Sequence, residues 1–127
     1  MNREISPPTI AAPAANYAHA ILITSPSRTL HLSGVVPTAP DGTVPPDLTA
    51  QTEVVWNNII AILAAADMVA QDIVSITTYV VAGEPLGPVM AIRDRVLNGH
   101  RVASTLVTVP ELARPTWRIE IAAIAAS

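Results

Sequence analysis

The chain contains no cysteine. Disulfides, thiolate catalysis and cysteine-based metal sites are thereby excluded. It has no phenylalanine either, and aromatic residues make up only 3%. Its core must therefore be filled by Ala, Val, Ile and Leu, whose small side chains let elements pack closely. Charge is scarce, at 13% of residues, with a net −3 and no charged run. Nucleic-acid binding needs clustered Lys and Arg against phosphates, so that function class is not expected. No apolar run approaches the length of a bilayer crossing. Residues 1–8 carry no apolar segment of the kind a signal peptide needs. A cytoplasmic protein without membrane contact is the expectation.

What is present is a hydrophobic chain: half of its 127 residues are apolar. That length fits one domain, residues 1–127, with a core of useful size. So little charge leaves surplus apolar surface, which subunit contact usually covers. A homo-oligomer follows as an expectation.

Residues 1–16 are rich in Pro and Ala, show no period, and read as an extended lead-in. Residues 18–24 and 29–35 are strand-like. The turn Ser25-Pro26-Ser27-Arg28 between them suggests a hairpin. Asp47 or Thr49 can cap a helix over 48–66. Val55, Ile59, Ile62, Leu63 and Ala66 form its apolar face, with Gln51, Glu53, Asn57 and Asn58 on the polar side. The β-branched run 71–81 is a strand. A shorter helix over 86–97 ends at Asn98-Gly99. Strands at 103–109 and 116–125 complete the order β-β-α-β-α-β-β. This is an α+β fold with a mixed sheet and both helices on one face. The other sheet face is then bare, a second argument for oligomerisation.

Glu120 is the outstanding candidate for chemistry. It sits in Trp117-Arg118-Ile119-Glu120-Ile121-Ala122-Ala123-Ile124-Ala125. A carboxylate in so apolar a strand needs a partner or a purpose. Either it faces solvent and pairs with Arg118, or it serves as a general acid/base or water-orienting group. The histidines, His19, His31 and His100, lack ligand spacing, so no metal is expected. His31 shares a strand face with Ser33 and can reach a pocket. Neither Ser33 nor Ser104 lies in a nucleophile elbow. Gly34, after Ser33, allows close approach to the backbone. Arg93 and Asp94 read as a solvated pair.

Taken together, these segments resemble the Rid (YjgF-like) family of enamine/imine deaminases over about residues 13–125. The resemblance is carried by Tyr17-Ala18-His19-Ala20, Leu32-Ser33-Gly34-Val35-Val36-Pro37, the helix from Gln51-Thr52 to Ala66, Asp72-Ile73-Val74 and Ile119-Glu120-Ile121-Ala122-Ala123-Ile124-Ala125. It implies a chorismate-mutase-like fold and a homotrimer with clefts between subunits. It also implies a small-molecule imine or enamine substrate and no cofactor. Glu120 would then handle water, while Tyr17 and the Ser33-Gly34 turn shape the pocket.

One position departs from the family pattern, Ala-Arg-Ser-(Thr or Cys). Here the stretch is Arg101-Val102-Ala103-Ser104-Thr105, with Ala103 at the arginine position and Thr105 closing the motif. Losing a bidentate carboxylate contact there costs on the order of 2–5 kcal/mol, so 2-aminoacrylate deamination is expected to be weak or absent. Arg101, about 7 Å along the strand, is one substitute. Arg93 and Arg118 are two others, and a larger or uncharged substrate is the remaining alternative. A non-catalytic protein binding a metabolite or partner is the competing function, with ribonuclease activity behind it because the chain is acidic.

Overall fold

A computed structural model describes residues 1–127. In chain order the elements are β1 (Asn2–Ile5), β2 (Ala20–Ile23), β3 (Thr29–Val35), α1 (Leu48–Ala65), a 3-10 turn (Ala70–Asp72), β4 (Ile73–Val81), α2 (Gly87–Leu97), β5 (Ala103–Val109) and β6 (Ile119–Ala126). The main sheet has the order β3-β6-β4-β5. β6 is antiparallel to both β3 and β4, while β4 and β5 are parallel, joined through α2.

Local chemistry sets the ends of the helices. Asp47 accepts the Ala50 amide at 2.8 Å and caps α1. The Arg28 guanidinium closes the other end of α1 on the carbonyls of Ala66 and Asp67, at 2.6 and 3.2 Å. Asn98 ends α2 in the left-handed region at φ 46°, followed by Gly99 at φ 85°. An amide side chain and a glycine tolerate that geometry where branched residues do not.

The core lies between the helices and one sheet face. Val55, Trp56, Ile59 and Leu63 of α1 meet Ile119, Ile121, Ala123 and Ala125 of β6. α2 adds Val89, Ile92 and Leu97 to the same cluster. Both helices therefore cover one face. No helix is long and apolar enough to cross a membrane.

Three details differ from the sequence expectation. Residues 20–23 form no ladder with β3; they pair with β1, Arg3 opposite Leu22. The connecting turn is occupied elsewhere, because the amides of Ser27 and Arg28 both donate to the Ser127 carbonyl, at 2.8 and 3.1 Å. The lead-in thus begins with a strand, held also by mutual bonds between Met1 and Thr24. On α1, Ile62 is exposed whereas Gln51 is buried. Gln51 donates to the carbonyls of Pro45 and Thr116, each at 2.8 Å, and accepts the Arg118 amide at 2.7 Å. Three satisfied bonds make burial of that amide tolerable, and they pin the chain just before β6.

Candidate functional site

β6 alternates. Ile119, Ile121, Ala123 and Ala125 face the core, so Glu120, Ala122 and Ile124 project from the uncovered face, each half-buried. Tyr79 lies beside Glu120 across the β4–β6 ladder. On the other side, the β3–β6 register shifts between Leu32 and Val35, so Ser33 and Gly34 form a bulge. Such bulges bend a strand and re-aim its neighbours.

Gly34 has a specific reason to be glycine. A Cβ built there would sit 2.0 Å from Glu120 Oε2 and 2.7 Å from its Cδ. The carboxylate therefore lies directly over the bare Cα, in space any other residue would fill. Glu120 has no ion-pair partner in the chain. The expected pairing with Arg118 does not form, because Arg118 Nε donates to Glu84 Oε1 at 2.8 Å in the turn after β4. Around the edge of β3 opens a cleft of ≈540 Å³, whose walls include His31, Ser33, Gly34, Thr38 and Asn58.

The second group of candidates gathers at the start of β5. Ala18 forms a parallel bridge with Ala103, and its amide donates to the Val102 carbonyl at 2.8 Å. Tyr17 follows the same path, its ring 6.2 Å from that of His19 in an edge-on contact. Ala103 and Thr105 lie on the uncovered face with Ser75 and Thr77 as ladder partners. Ser75 in turn aligns with Ile124 of β6. Ala103 is thus two strands across and four residues along from Glu120, roughly 16 Å by ordinary sheet spacings. Within one chain, Ala103 and Thr105 share a face with Glu120 without meeting it, and Tyr17 is tied to them only through Ala18.

Each arginine considered as a substitute is engaged. Arg101 donates to the Tyr17 carbonyl and lies 3.3 Å from Glu4 Oε1. Arg93 pairs with Asp94 at 2.9 Å but is buried, not solvated, because α2 turns this part of its surface inward. Arg118 is held by Glu84. Arg114, which no sequence motif singles out, stands apart from these. It has no carboxylate partner, and its guanidinium carbon lies 5.6 Å above the Trp117 ring. The Arg-Pro-Thr-Trp run places this cation beside one of only two tryptophans.

No group of three His, Cys, Asp or Glu side chains converges in a way that could hold a metal. His100 Nε2 lies 2.7 Å from the Ile73 carbonyl, and His19 Nε2 lies 2.7 Å from the Ala11 carbonyl. Asp41 is fully exposed, and the Thr43 hydroxyl and amide donate to it at 2.7 and 3.0 Å. Those bonds hold its carboxyl below the usual range.

Comparison with known proteins agrees with this architecture. Residues 9–127 match the family described as Endoribonuclease L-PSP. A Yersinia pestis protein of the conserved Rid family, YyfB, of unknown function, is 32% identical. It superposes with a TM-score of 0.89 over 99% of this chain and 98% of its own. A second Yersinia pestis Rid protein, YyfA, is 26% identical, with a TM-score of 0.74 over the whole of both chains. Escherichia coli TdcF, solved with bound serine, is 21% identical and shares the fold. Its TM-score is 0.73 over 98% of both chains. No curated protein matches the sequence. With nearly the whole chain inside the family match and the Glu120 and Ser33-Gly34 segments in place, the protein belongs to the Endoribonuclease L-PSP family, the Rid (YjgF-like) proteins.

Proposed function

We propose that this protein hydrolyses a small enamine or imine, with Glu120 handling the water. The observation that carries this is the seat of the Glu120 carboxylate over Gly34. The residue is unpaired, half-buried and given room by a missing Cβ. An unpaired acid in an apolar strand costs stability, so its retention is better explained by chemistry than by packing.

The reaction balances without a cofactor. An enamine first takes a solvent proton at carbon, or an imine takes one at nitrogen, and either gives the iminium cation, whose extra proton returns to solvent at the last step. Water attacks the imine carbon, the C=N π pair moves to nitrogen, and Glu120 accepts the water proton. The same carboxyl returns that proton to nitrogen. The C–N bond then breaks, ammonia leaves, and the hydroxyl proton is lost as the carbonyl forms. One carboxyl acting in both directions is ordinary general acid/base catalysis, worth about 10²–10⁴ in rate.

The same proposal makes the working unit a homotrimer. The uncovered face carries Ala122, Ile124, Tyr79 and the exposed Val107, too apolar a surface for a lone chain. A copy laid against it would bring its own Tyr17, Ala103 and Thr105 towards Glu120. With alanine at 103, the pocket favours substrates without an α-carboxylate, and 2-aminoacrylate becomes a poor one.

The test is ammonia release from imines generated in the assay by an amine oxidase, with wild type and Glu120→Gln. Faster release with wild type than with buffer, lost in the variant, is the expected result; equal rates in all three would overturn it. A competing reading, binding without turnover, is favoured by Ala103 alone, and a ligand that binds without being converted would support it. Ribonuclease activity has little support. The net charge is −3, and four of the seven cationic side chains are in ion pairs. RNA offered to the protein should remain intact.

A further inference from the structure

We infer that Arg114 selects the substrate, by holding an anionic group placed several bonds away from the reacting carbon. The inference rests on the proposed hydrolase and adds its substrate class: ω-carboxylate imines or enamines.

The distribution of arginines leads to it. All seven cations of the chain are arginines. Arg93, Arg95, Arg101 and Arg118 are each paired with a carboxylate, and Arg28 is bound to the C-terminal carbonyls of α1. Arg3 lies on β1, outside the main sheet. Arg114 alone combines freedom from a carboxylate with a place at the Glu120 end of the sheet.

Its surroundings make a site. A cleft of ≈390 Å³ is walled by Thr38, Gly42, Val44, Arg114, Thr116 and Trp117. Thr38 also walls the cleft that runs along β3 past Gly34, so one residue lines both spaces. Trp117 stands three residues before Glu120, and its start of strand is fixed by the Gln51 bonds to Thr116 and Arg118. The cation–π contact with the Trp117 ring, 5.6 Å from guanidinium carbon to ring centroid, holds the guanidinium near the cleft without using its N–H groups, which stay free for an oxyanion. No carboxylate of the chain forms an ion pair with Arg114, so an anionic ligand faces no internal competitor.

Three imines of equal chain length separate the possibilities. One carries a terminal carboxylate, from an ω-amino acid; one carries only an α-carboxylate; one is neutral, from an alkylamine. Wild type should show its highest kcat/KM with the first. Arg114→Gln should lower the preference for the first over the neutral imine by roughly ten- to a hundredfold, chiefly through KM, with partial recovery in Arg114→Lys. An unchanged preference, or a wild-type preference for the α-carboxylate, overturns the inference. Failure of the hydrolase itself reads differently, as no ammonia from any of the three. Calorimetry with glutaric acid monoamide against the neutral diamide then still decides, because only the monoamide should lose affinity in Arg114→Gln. Equal affinities of the variant and wild type for the monoamide would reject the contact.

Discussion

Along β6, Ile119, Ile121, Ala123 and Ala125 point into the helices and are almost wholly buried, whereas Glu120, Ala122 and Ile124 between them are only half-buried. The two faces also differ in chemistry. The covered face is hydrocarbon along the whole of β6 from Ile119 to Ala125, joined to both helices in one cluster. The uncovered face mixes a free carboxylate with Tyr79, hydroxyls of Ser75 and Thr77, and small aliphatics. A face that is filled has its partners in the chain. A face that is half-apolar and carries an unpaired acid has no such partners within the chain. On the function proposed above, one strand serves two purposes, with packing on residues 119, 121, 123 and 125 and chemistry at residue 120 between them.

The sharpest break between the faces is at neighbouring residues. Glu120→Gln should lower imine turnover by about 10²–10⁴ while leaving the melting temperature nearly unchanged. A variant that unfolds, or one that keeps its rate, would dissolve the distinction. Ile121→Ala should do the opposite. Removing this buried side chain costs about 2–5 kcal/mol, visible as a fall in Tm of roughly ten degrees or more, in any protein that still folds. Ile124→Glu tests what covers the open face. Light scattering should give three times 13.3 kDa for the wild type and a single-chain mass for the variant. A wild-type mass of one chain would remove the trimer from the proposal.

Smaller effects refine the picture. Gly34→Ala places its methyl where Glu120 Oε2 now lies, and the far end of a flexible side chain gives way before the backbone does. Turnover should fall about ten- to a hundredfold with little change in Tm; an unchanged rate would mean the carboxylate works from another position. The smallest effect lies off both faces. The folded Asp41 carboxyl titrates below its ordinary value of 3.8, so its contribution to stability is present above that value and is lost as pH falls through the folded one. Thr43→Val should raise the Asp41 midpoint in an NMR titration without touching activity.

Much of this was legible in the sequence where local chemistry decides. The spacing of Val55, Ile59 and Leu63 gave α1 almost to the residue, as Asn98-Gly99 gave the end of α2. Gly34 was recognisable as a point of close approach, though not its partner. The Ala20–Ile23 strand was visible but its pairing was not, because ladder partners are chosen by which edges remain free. Gln51 looked like a surface amide, since nothing local announces a carbonyl at Thr116 or an amide at Arg118. Nothing local marks Arg114 either. Its significance lies in the other arginines being engaged by Glu4, Asp94, Glu84 and Glu53, contacts spread across the chain.

The sequence by itself determined the class of fold, the ends of its helices and the identity of the odd acid, because periodicity, capping and composition act over a few residues. Only the tertiary structure decided that Glu120 rests on Gly34 rather than on Arg118, and that Ala103 lies too far off to join it within one chain. Those outcomes depend on strand order and register, which are set by the whole sheet closing over its core.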